Sequence, residues 1–172
     1  MSKMSVGKPV AAMGKLSGKG LRPRLTIAGS GPEREALEAL AERLGVAPQV
    51  EFAGVVQGEA LAALLRRHEL MVVPSRWPEP FGIVALEGMA CGCVPVVSDG
   101  GGLPFAVGAA GLSFARNSSE SLAEVLEKLL ASPDLRGKLR GKAAAHLEGF
   151  TGERVAAETL RQLVADSMGT GL

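Results

Sequence analysis

The chain has few aromatic residues and almost no net charge. Its 172 residues include one Trp, five Phe and no Tyr, and 19 Lys plus Arg are balanced by 18 Asp plus Glu. Proteins that read single-stranded bases stack them on aromatic side chains, and nucleic acid is attracted by an excess of positive charge. We therefore expect no nucleic-acid partner, and we expect ligands to be selected by local groups of residues.

The chain is also poor in cysteine and has no long apolar run. Cys91 and Cys93 are its only cysteines, and their spacing suits neither a disulfide nor, without a second pair, a zinc site. We expect both to be buried thiols. No apolar run approaches the ~20 residues of a membrane span, and residues 1–7 lack an apolar leader. The expected location is the cytoplasm. His68 and His146 are expected to be surface residues rather than bases.

Short apolar runs alternate regularly with helical patterns along the chain. In the predicted helices apolar residues recur at the helical period, as at Leu37, Leu40 and Leu44. This alternation is typical of a parallel sheet with helices on both faces, so we predict an α/β, Rossmann-like fold. The predicted strands are residues 25–28, 50–53, 70–73, 94–97 and 111–114, and the predicted helices are 32–44, 59–67, 82–90, the stretch from Asn117–Ser118 to Leu130, 134–147 and 152–167.

The composition divides the chain into two parts. Hydrophobic residues make up 47% of the sequence, which is enough for the packed core of one domain. Residues 1–20 differ from the rest because they are rich in Gly, Lys and Ser. We therefore predict a loose N-terminal segment, residues 1–20, followed by one Rossmann-like domain, residues 21–172.

The most informative loop joins the predicted strand 70–73 to the predicted helix 82–90. Ligands of an open parallel sheet bind beyond the carboxyl ends of its strands, where this loop lies. Two prolines fix the backbone around Glu79, and Gly82 lets the chain approach a ligand closely. Unpaired N–H groups at the start of the helix favour a phosphate. Glu87 can face the same crevice at a depth suited to a ribose, although a lone helical Glu is more often simply solvated.

Glu79 and Glu87 are separated by seven residues in Glu-Pro-Phe-Gly-Ile-Val-Ala-Leu-Glu. This segment resembles the Glu-x7-Glu signature of group 1, family 4 (GT4) retaining glycosyltransferases. The likeness covers about residues 10–165 in the family's order, and it points to the C-terminal, donor-binding half of the two-domain GT-B fold. Further segments that resemble the family are Val72-Val-Pro-Ser75, Gly88-Met-Ala-Cys-Gly92, Leu25-Thr-Ile-Ala-Gly-Ser-Gly-Pro32, Val50-Glu-Phe-Ala-Gly54, Pro95-Val-Val-Ser98, Gly101-Gly-Leu-Pro104 and Ala110-Gly-Leu112.

The resemblance implies the donor-binding domain of an enzyme that transfers a sugar from a nucleotide diphosphate sugar to an acceptor hydroxyl. Glu87 would hold the ribose hydroxyls, and Glu79, the implied catalytic residue, would contact the transferred sugar. Backbone groups beside them would contact the sugar, the diphosphate and the base. These implied donor-binding positions are Gly54, Val55, Phe81, Gly82, Ile83 and Val84. For Gly54 and Val55, the alternative interpretation is that they simply end a strand and contact no ligand.

The family also places an Arg and a Lys, in a Gly-Arg-Leu...Lys-Gly pattern, on the diphosphate. The segment Gly14-Lys-Leu-Ser-Gly-Lys-Gly20 is similar, which makes Lys15 and Lys19 the implied cations. Two positive charges beside a leaving diphosphate would stabilise its negative charge, a task that a metal performs in other transferases. Because the chain has no Asp-x-Asp motif, we expect neither a metal nor another cofactor.

Three departures from the family pattern keep a second hypothesis open. The N-terminal acceptor half is not represented, only a few residues separate Gly20 from the predicted strand at Leu25, and Phe105 stands where the family has Glu. The chain is therefore either a donor-binding domain that acts with an N-terminal GT-B domain, or a non-catalytic remnant that binds nucleotide sugars or other proteins, including copies of itself. On either hypothesis, we expect it to be inactive alone.

Overall fold

The structure is a computed structural model that describes residues 6–150. Strands and helices alternate along these residues, as the sequence pattern predicts, and the predicted helix 152–167 lies outside them. The strands are β1 (Leu25–Ala28), β2 (Val50–Gly54), β3 (Leu70–Val73), β4 (Val94–Ser98) and β5 (Leu112–Phe114), and the helices are α1 (Gly7–Gly18), α2 (Arg34–Arg43), α3 (Gly58–Arg66), α4 (Ile83–Ala90), α5 (Leu103–Val107), α6 (Ser119–Ala131) and α7 (Pro133–Glu148). Short 3-10 turns occupy Ala47–Gln49 and Gly108–Ala110.

All strand pairs of the described residues are parallel, which confirms the predicted α/β class. β1 pairs with β2, β3 pairs with β4, and β4 pairs with β5. The register aligns Leu25 with Val50 in the first pair and Leu70 with Val94 in the second. Within residues 6–150 the strands form two sheets, in the orders β1-β2 and β3-β4-β5, because β1 and β3 do not pair with each other.

β4 is the centre of the core. All five of its residues are buried, as is typical of a parallel strand covered on both faces. Val94 and Val96 pack in a cluster with Leu122 of α6, while Val97 packs in another cluster with Leu103 of α5. These clusters confirm the prediction of helices on both faces. Burying side chains of this size contributes roughly 1.5–3 kcal/mol each.

The prediction that residues 1–20 form a loose segment is wrong for the part of this segment that the structure describes. Residues 7–18 form the helix α1, in which Val10, Met13 and Leu16 are at most 3% exposed. These three residues are spaced by three, so they form one apolar stripe, which packs on α2 and α6. The abundance of Gly and Lys hid this stripe from a composition-based prediction.

The prediction of buried thiols is confirmed for Cys93 and not for Cys91. Cys93 is 1% exposed, and its Sγ lies 3.2 Å from the carbonyl oxygen of Leu65. Burial raises the pKa of the Cys93 thiol to about 11. Cys91 is only half-buried, and both thiols are free. No helix within residues 6–150 is both long and apolar enough to cross a membrane.

The two thiols should differ in reactivity. At about pH 8, iodoacetamide is expected to alkylate Cys91 and to leave Cys93 unmodified, because the thiolate is the nucleophile and Cys93 stays covered and protonated. Peptide mass spectrometry of the folded chain measures both sites, and the chain unfolded in guanidinium, where both should react, is the control. Equal labelling of the two cysteines in the folded chain would contradict this burial.

Candidate functional site

The loop after β3 holds Glu79 in a fixed position. Ser75, two residues beyond the strand, is 1% exposed, and its hydroxyl donates to Oε1 of Glu79 over 2.9 Å. Pro78 and Pro80 flank the glutamate and restrict its backbone. Glu79 is half-buried. Its carboxylate is therefore oriented by a buried partner and still partly open to a ligand.

A glycine loop after β4 supports Glu79 from the other side. The N–H of Gly102 donates to the carbonyl oxygen of Glu79 over 2.6 Å, and Gly101 forms a parallel β-bridge with Glu79. A Cβ on Gly101 would lie 2.2 Å from the same oxygen, and one on Gly102 would lie 2.4 Å from the carbonyl oxygen of Pro80. Only glycine allows this contact. The sequence identified Gly101-Gly-Leu-Pro104 only as a segment that resembles the family, and it did not reveal this contact with Glu79.

The start of α4 offers backbone donors that pair with no group within residues 6–150. Gly82, its N-cap, has φ 88° and ψ 41°, and the described residues supply no side-chain cap. A Cβ there would lie 2.6 Å from Cδ2 of Leu103, so both backbone and packing require glycine. The N–H groups of Ile83 and Val84 precede the first intrahelical bond, which runs from Ala85 N–H to the Gly82 carbonyl over 2.9 Å. Such groups, with the helix dipole, form an anion-binding end.

Glu87 faces a cavity of about 690 Å³ between β1 and β3. The side chain is exposed, and it lines the cavity together with Gly29, Val55 and Val84. A Cβ on the next residue, Gly88, would lie 2.1 Å from Sδ of Met71, so α4 lies very close to β3. Glu79 does not line this cavity. The predicted pair is therefore divided, with Glu87 in the cavity wall and Glu79 in the loop before α4.

The remaining predicted donor-binding residues adjoin these two glutamates. Gly54 ends β2 with φ 68°, and its carbonyl oxygen accepts the N–H of Gly29 over 2.6 Å. Val55, which follows, is 63% exposed. Phe81 is half-buried beside Gly82, and its ring centroid lies 5.5 Å from that of Phe150. The structure thus brings Val55, Val84 and Glu87 to one cavity, while Phe81 stays with Glu79 in the loop.

Lys15 and Lys19, the two cations that the resemblance implies for the diphosphate, lie at the C-terminal end of α1. Lys15 is in the last turn of α1, and its Nζ lies 2.6 Å from Oε1 of Glu120 in α6. Lys19, the C-cap of α1, pairs with Glu127 of α6. The hydrogen bond from Lys15 lowers the pKa of Glu120 to about 2. Both ammonium groups therefore pair with α6, and we leave them out of the proposed site.

Arg116 is a cation that sequence reasoning missed. It is exposed, and its Nη1 lies 3.2 Å from the position that a Cβ on Gly100 would take. The backbone N–H of Arg116 donates to Oδ1 of Asp99 over 2.7 Å. The guanidinium makes no ion pair with any described carboxylate. The guanidinium therefore lies against the glycine loop. No sequence signal marks it, because it follows β5 and only the fold brings it there.

The two histidines are structural, and the expectation that they are surface residues is wrong. Both are half-buried. His68 Nδ1 donates to the carbonyl oxygen of Leu64 over 2.8 Å, which leaves Nε2 to accept from the Thr26 hydroxyl at 3.0 Å. His146 Nε2 donates to the carbonyl oxygen of Ala106 over 2.8 Å. In the part of the chain that the structure describes, no three His, Cys, Asp or Glu side chains gather as metal ligands would.

A sequence model of one protein family matches most of the chain. The family is described as glycosyl transferases group 1, and the match covers residues 8–146. The D-inositol 3-phosphate glycosyltransferase of Actinosynnema mirum, a curated relative, is 39% identical over 150 residues, which are 82% of this chain and 36% of the relative. The chain spans about a third of the length of the curated relatives it matches.

Solved structures share the fold. Sucrose-phosphate synthase from Thermosynechococcus elongatus aligns with a TM-score of 0.79 and 28% identity, over 98% of this chain and 43% of that protein. HepE from Anabaena, solved in complex with UDP, aligns with a TM-score of 0.73 and 22% identity, over 99% of this chain and 48% of that protein. At the latter identity the likeness shows the fold alone. In each case the chain matches less than half of a longer protein.

The start of α4 should tolerate no side chain at its N-cap. Gly82→Ala is expected to lower the free energy of unfolding by about 2 kcal/mol, because the left-handed backbone and the contact with Leu103 both oppose a Cβ. Gly137→Ala is the matched control, since a Cβ there meets nothing within 4 Å, and the change inside α7 should stabilise by roughly 0.5–1 kcal/mol. Urea unfolding measures both. Equal stabilities of Gly82→Ala and the parent chain would contradict this geometry.

Proposed function

Because the chain belongs to the group 1 glycosyltransferase family and matches its C-terminal domain, we propose that it binds the nucleotide diphosphate sugar donor of a retaining glycosyl transfer. The observation that carries this proposal is that α4 has two features close together: backbone N–H groups at its start that can bind an anion, and Glu87 beside the cavity. The chain spans about a third of its curated relatives, so the activity of a whole enzyme is part of the proposal.

One helix would hold two parts of the donor. Ile83 and Val84 would donate backbone N–H groups to the diphosphate, where the dipole of α4 favours negative charge. Glu87 would accept hydrogen bonds from both ribose hydroxyls, since an ionised carboxylate is an acceptor with two oxygens. Ile83 and Glu87 are four residues apart, or about 6 Å along the helix axis. Diphosphate and ribose would therefore be held together by a rigid element, with the exposed Val55 against the base.

Glu79 would contact the transferred sugar. Its carboxylate is oriented by Ser75 and its backbone by Gly102, so it offers sugar hydroxyls a carboxylate that is held in place.

In the transfer, the hydroxyl of the acceptor substrate would attack the anomeric carbon on the face from which the diphosphate leaves. The new bond joins the acceptor oxygen to that carbon, the bond to the phosphate oxygen breaks, and the hydroxyl proton passes to the departing phosphate oxygen.

The charge of the departing diphosphate would be stabilised by the protein itself. Preorganised donors aimed at developing charge are an effective source of catalysis, and the N–H groups of Ile83 and Val84 supply them here. Arg116, exposed beside the glycine loop, would add a positive charge close to the site. We therefore propose that donor binding needs no metal or other cofactor. A cytoplasmic location stays a prediction from the sequence.

Phe105 supports the second candidate function, a non-catalytic module. The side chain is 70% exposed, and its ring centroid lies 6.0 Å from that of Phe150. The resemblance assigns a carboxylate to this position, and Phe offers neither charge nor hydrogen bonds to a donor. A module of this kind would still bind the nucleotide sugar and would act with an N-terminal GT-B domain or a copy of itself. Transfer by the chain alone is not expected on either view.

Isothermal titration with UDP, GDP and ADP, without metal, tests the donor site. UDP comes first because the structure of HepE was solved with it. One nucleotide is expected to bind with a micromolar to millimolar Kd, about −8 to −4 kcal/mol. Glu87→Ala is expected to weaken binding by at least about tenfold, or ~1.4 kcal/mol, because the ribose loses its charged acceptor.

Glu124→Ala is the matched control, since Glu124 is an exposed glutamate on α6 and should leave the Kd unchanged. Absence of binding to all three nucleotides would contradict the proposed function. Binding by Glu87→Ala as tight as by the parent chain would contradict the assignment of the ribose to Glu87.

Glu79→Gln should bind the free nucleotide as tightly as the parent chain does, because Glu79 is assigned to the sugar alone. It should lose any additional affinity that the parent chain has for the intact nucleotide sugar.

A further inference from the structure

Phe150 lies at the centre of a group of rings beside the candidate site. Its ring centroid is 5.5 Å from that of Phe81, 6.0 Å from that of Phe105 and 5.0 Å from that of His146. The rings meet edge to face, which is an arrangement that aromatic pairs favour. Three of the chain's five Phe belong to this group, so its scarce aromatic side chains join the loop before α4, the helix α5 and the end of α7.

The end of α7 fixes the position of Phe150. Its N–H donates to the carbonyl oxygen of Leu147 over 2.9 Å, so the helical turn continues as far as Phe150. Leu147 packs on the buried cluster between β4 and α5. His146 Nε2 donates to the carbonyl oxygen of Ala106 over 2.8 Å, and a Cβ on Gly108 would lie 2.5 Å from Cε1 of His146. The turn that carries Phe150 is therefore held against α5 by packing and by a hydrogen bond.

The start of α4 has few anchors of its own. Its N-cap, Gly82, has no side chain with which to cap the helix. The next two residues, Ile83 and Val84, are 64% and 39% exposed, so their side chains do little to fix the backbone that carries the proposed anion donors. Ala85, which follows, is fully buried. The direction of the Ile83 and Val84 N–H groups therefore depends on what holds the chain just before the helix.

Phe81, directly before Gly82, is held from two sides. Its Cα lies 2.8 Å from the position that a Cβ on Gly102 would take, so the glycine loop lies against its backbone. Its half-buried ring contacts the ring of Phe150. Loss of the Phe150 ring would leave the backbone contact and remove the support of the side chain.

We propose that Phe150 is a positioning residue of the candidate site, which fixes Phe81 and, through it, the N–H groups of Ile83 and Val84. This inference rests on the proposed function, because the diphosphate is the ligand assigned to those groups. Hydrogen-bond donors stabilise a charged ligand or a developing charge best when they are oriented before the ligand arrives. Phe150 contacts no part of the donor in this arrangement, and it acts through Phe81.

Backbone order parameters from NMR relaxation of the whole chain test this positioning without a ligand. In the parent chain, the amides of Gly82, Ile83 and Val84 are expected to be as rigid as helix backbone, with S² about 0.85. Phe150→Leu keeps an apolar side chain and removes the ring, and it should lower these values to about 0.6. Phe150→Tyr keeps the ring and should retain the parent values.

Leu135→Ala is the matched control. Leu135 is a half-buried residue near the start of α7, at the end of the helix far from Phe150, and it packs on the cluster that contains Val94 and Val96. The change should lower the free energy of unfolding, because it removes apolar contacts. It should leave the order parameters at the start of α4 unchanged.

A comparison of UDP with uridine tests whether Phe150 acts on the diphosphate contacts. Phe150→Leu is expected to weaken UDP binding by about tenfold and uridine binding by less than about twofold, because only the diphosphate accepts charge-assisted bonds from Ile83 and Val84. A purely structural loss would weaken both ligands alike. Titrations followed by amide chemical shifts measure both Kd values.

Four results would overturn the proposal. Three concern the order parameters at residues 82–84: no change in Phe150→Leu, an equal decrease in Leu135→Ala, or a decrease in Phe150→Tyr as large as in Phe150→Leu. The fourth is equal weakening of UDP and uridine by Phe150→Leu. Absence of UDP binding by the parent chain would instead count against the proposed function, and the order parameters would still decide whether Phe150 fixes the start of α4.

Discussion

The close approach of α4 to β3 is the constraint on which the candidate site depends. At Gly88 the helix lies on Met71 with no space for a side chain between them. This contact fixes the helix so that Glu87 faces the cavity and the helix start lies beyond the end of the strand. The glycine loop makes a similar contact with Glu79, because the N–H of Gly102 bonds to its carbonyl oxygen. Glycines thus position the site by allowing backbones to approach, and larger residues would separate them.

The site combines opposite electrostatic tasks over a short distance. The start of α4 presents N–H groups and the positive end of the dipole, which favour an anion. Glu87, about one turn further, presents a negative acceptor for hydroxyl donors. A ligand that satisfies both must carry an anionic group and a hydroxyl-bearing group close together, which is the chemistry of a nucleoside diphosphate. Arg116 adds a positive charge beside the glycine loop that bonds to Glu79.

The local parts of the fold could be predicted from the sequence, while features that depend on distant segments could not. β1 and β3 begin and end at the predicted residues, because apolar runs and turn residues act locally. α1 was missed because residues 1–20 are rich in Gly, Lys and Ser, although Val10, Met13 and Leu16 keep a helical spacing. The segment from Gly14 to Gly20, which resembles a family pattern that places cations on the diphosphate, contains the last turn of α1. Arg116 and the division of the sheet depend on contacts between segments far apart in sequence, which no local pattern contains.

Amide chemical shifts during a titration with UDP test the central claim most directly, namely that the start of α4 and Glu87 form one nucleotide site. The account predicts the largest shift changes at Ile83, Val84 and Glu87, saturating together with one Kd, while Lys15 and Lys19 stay unchanged. Shift changes centred on Lys15 and Lys19, with none in α4, would contradict the account, as would the absence of any change at saturating nucleotide.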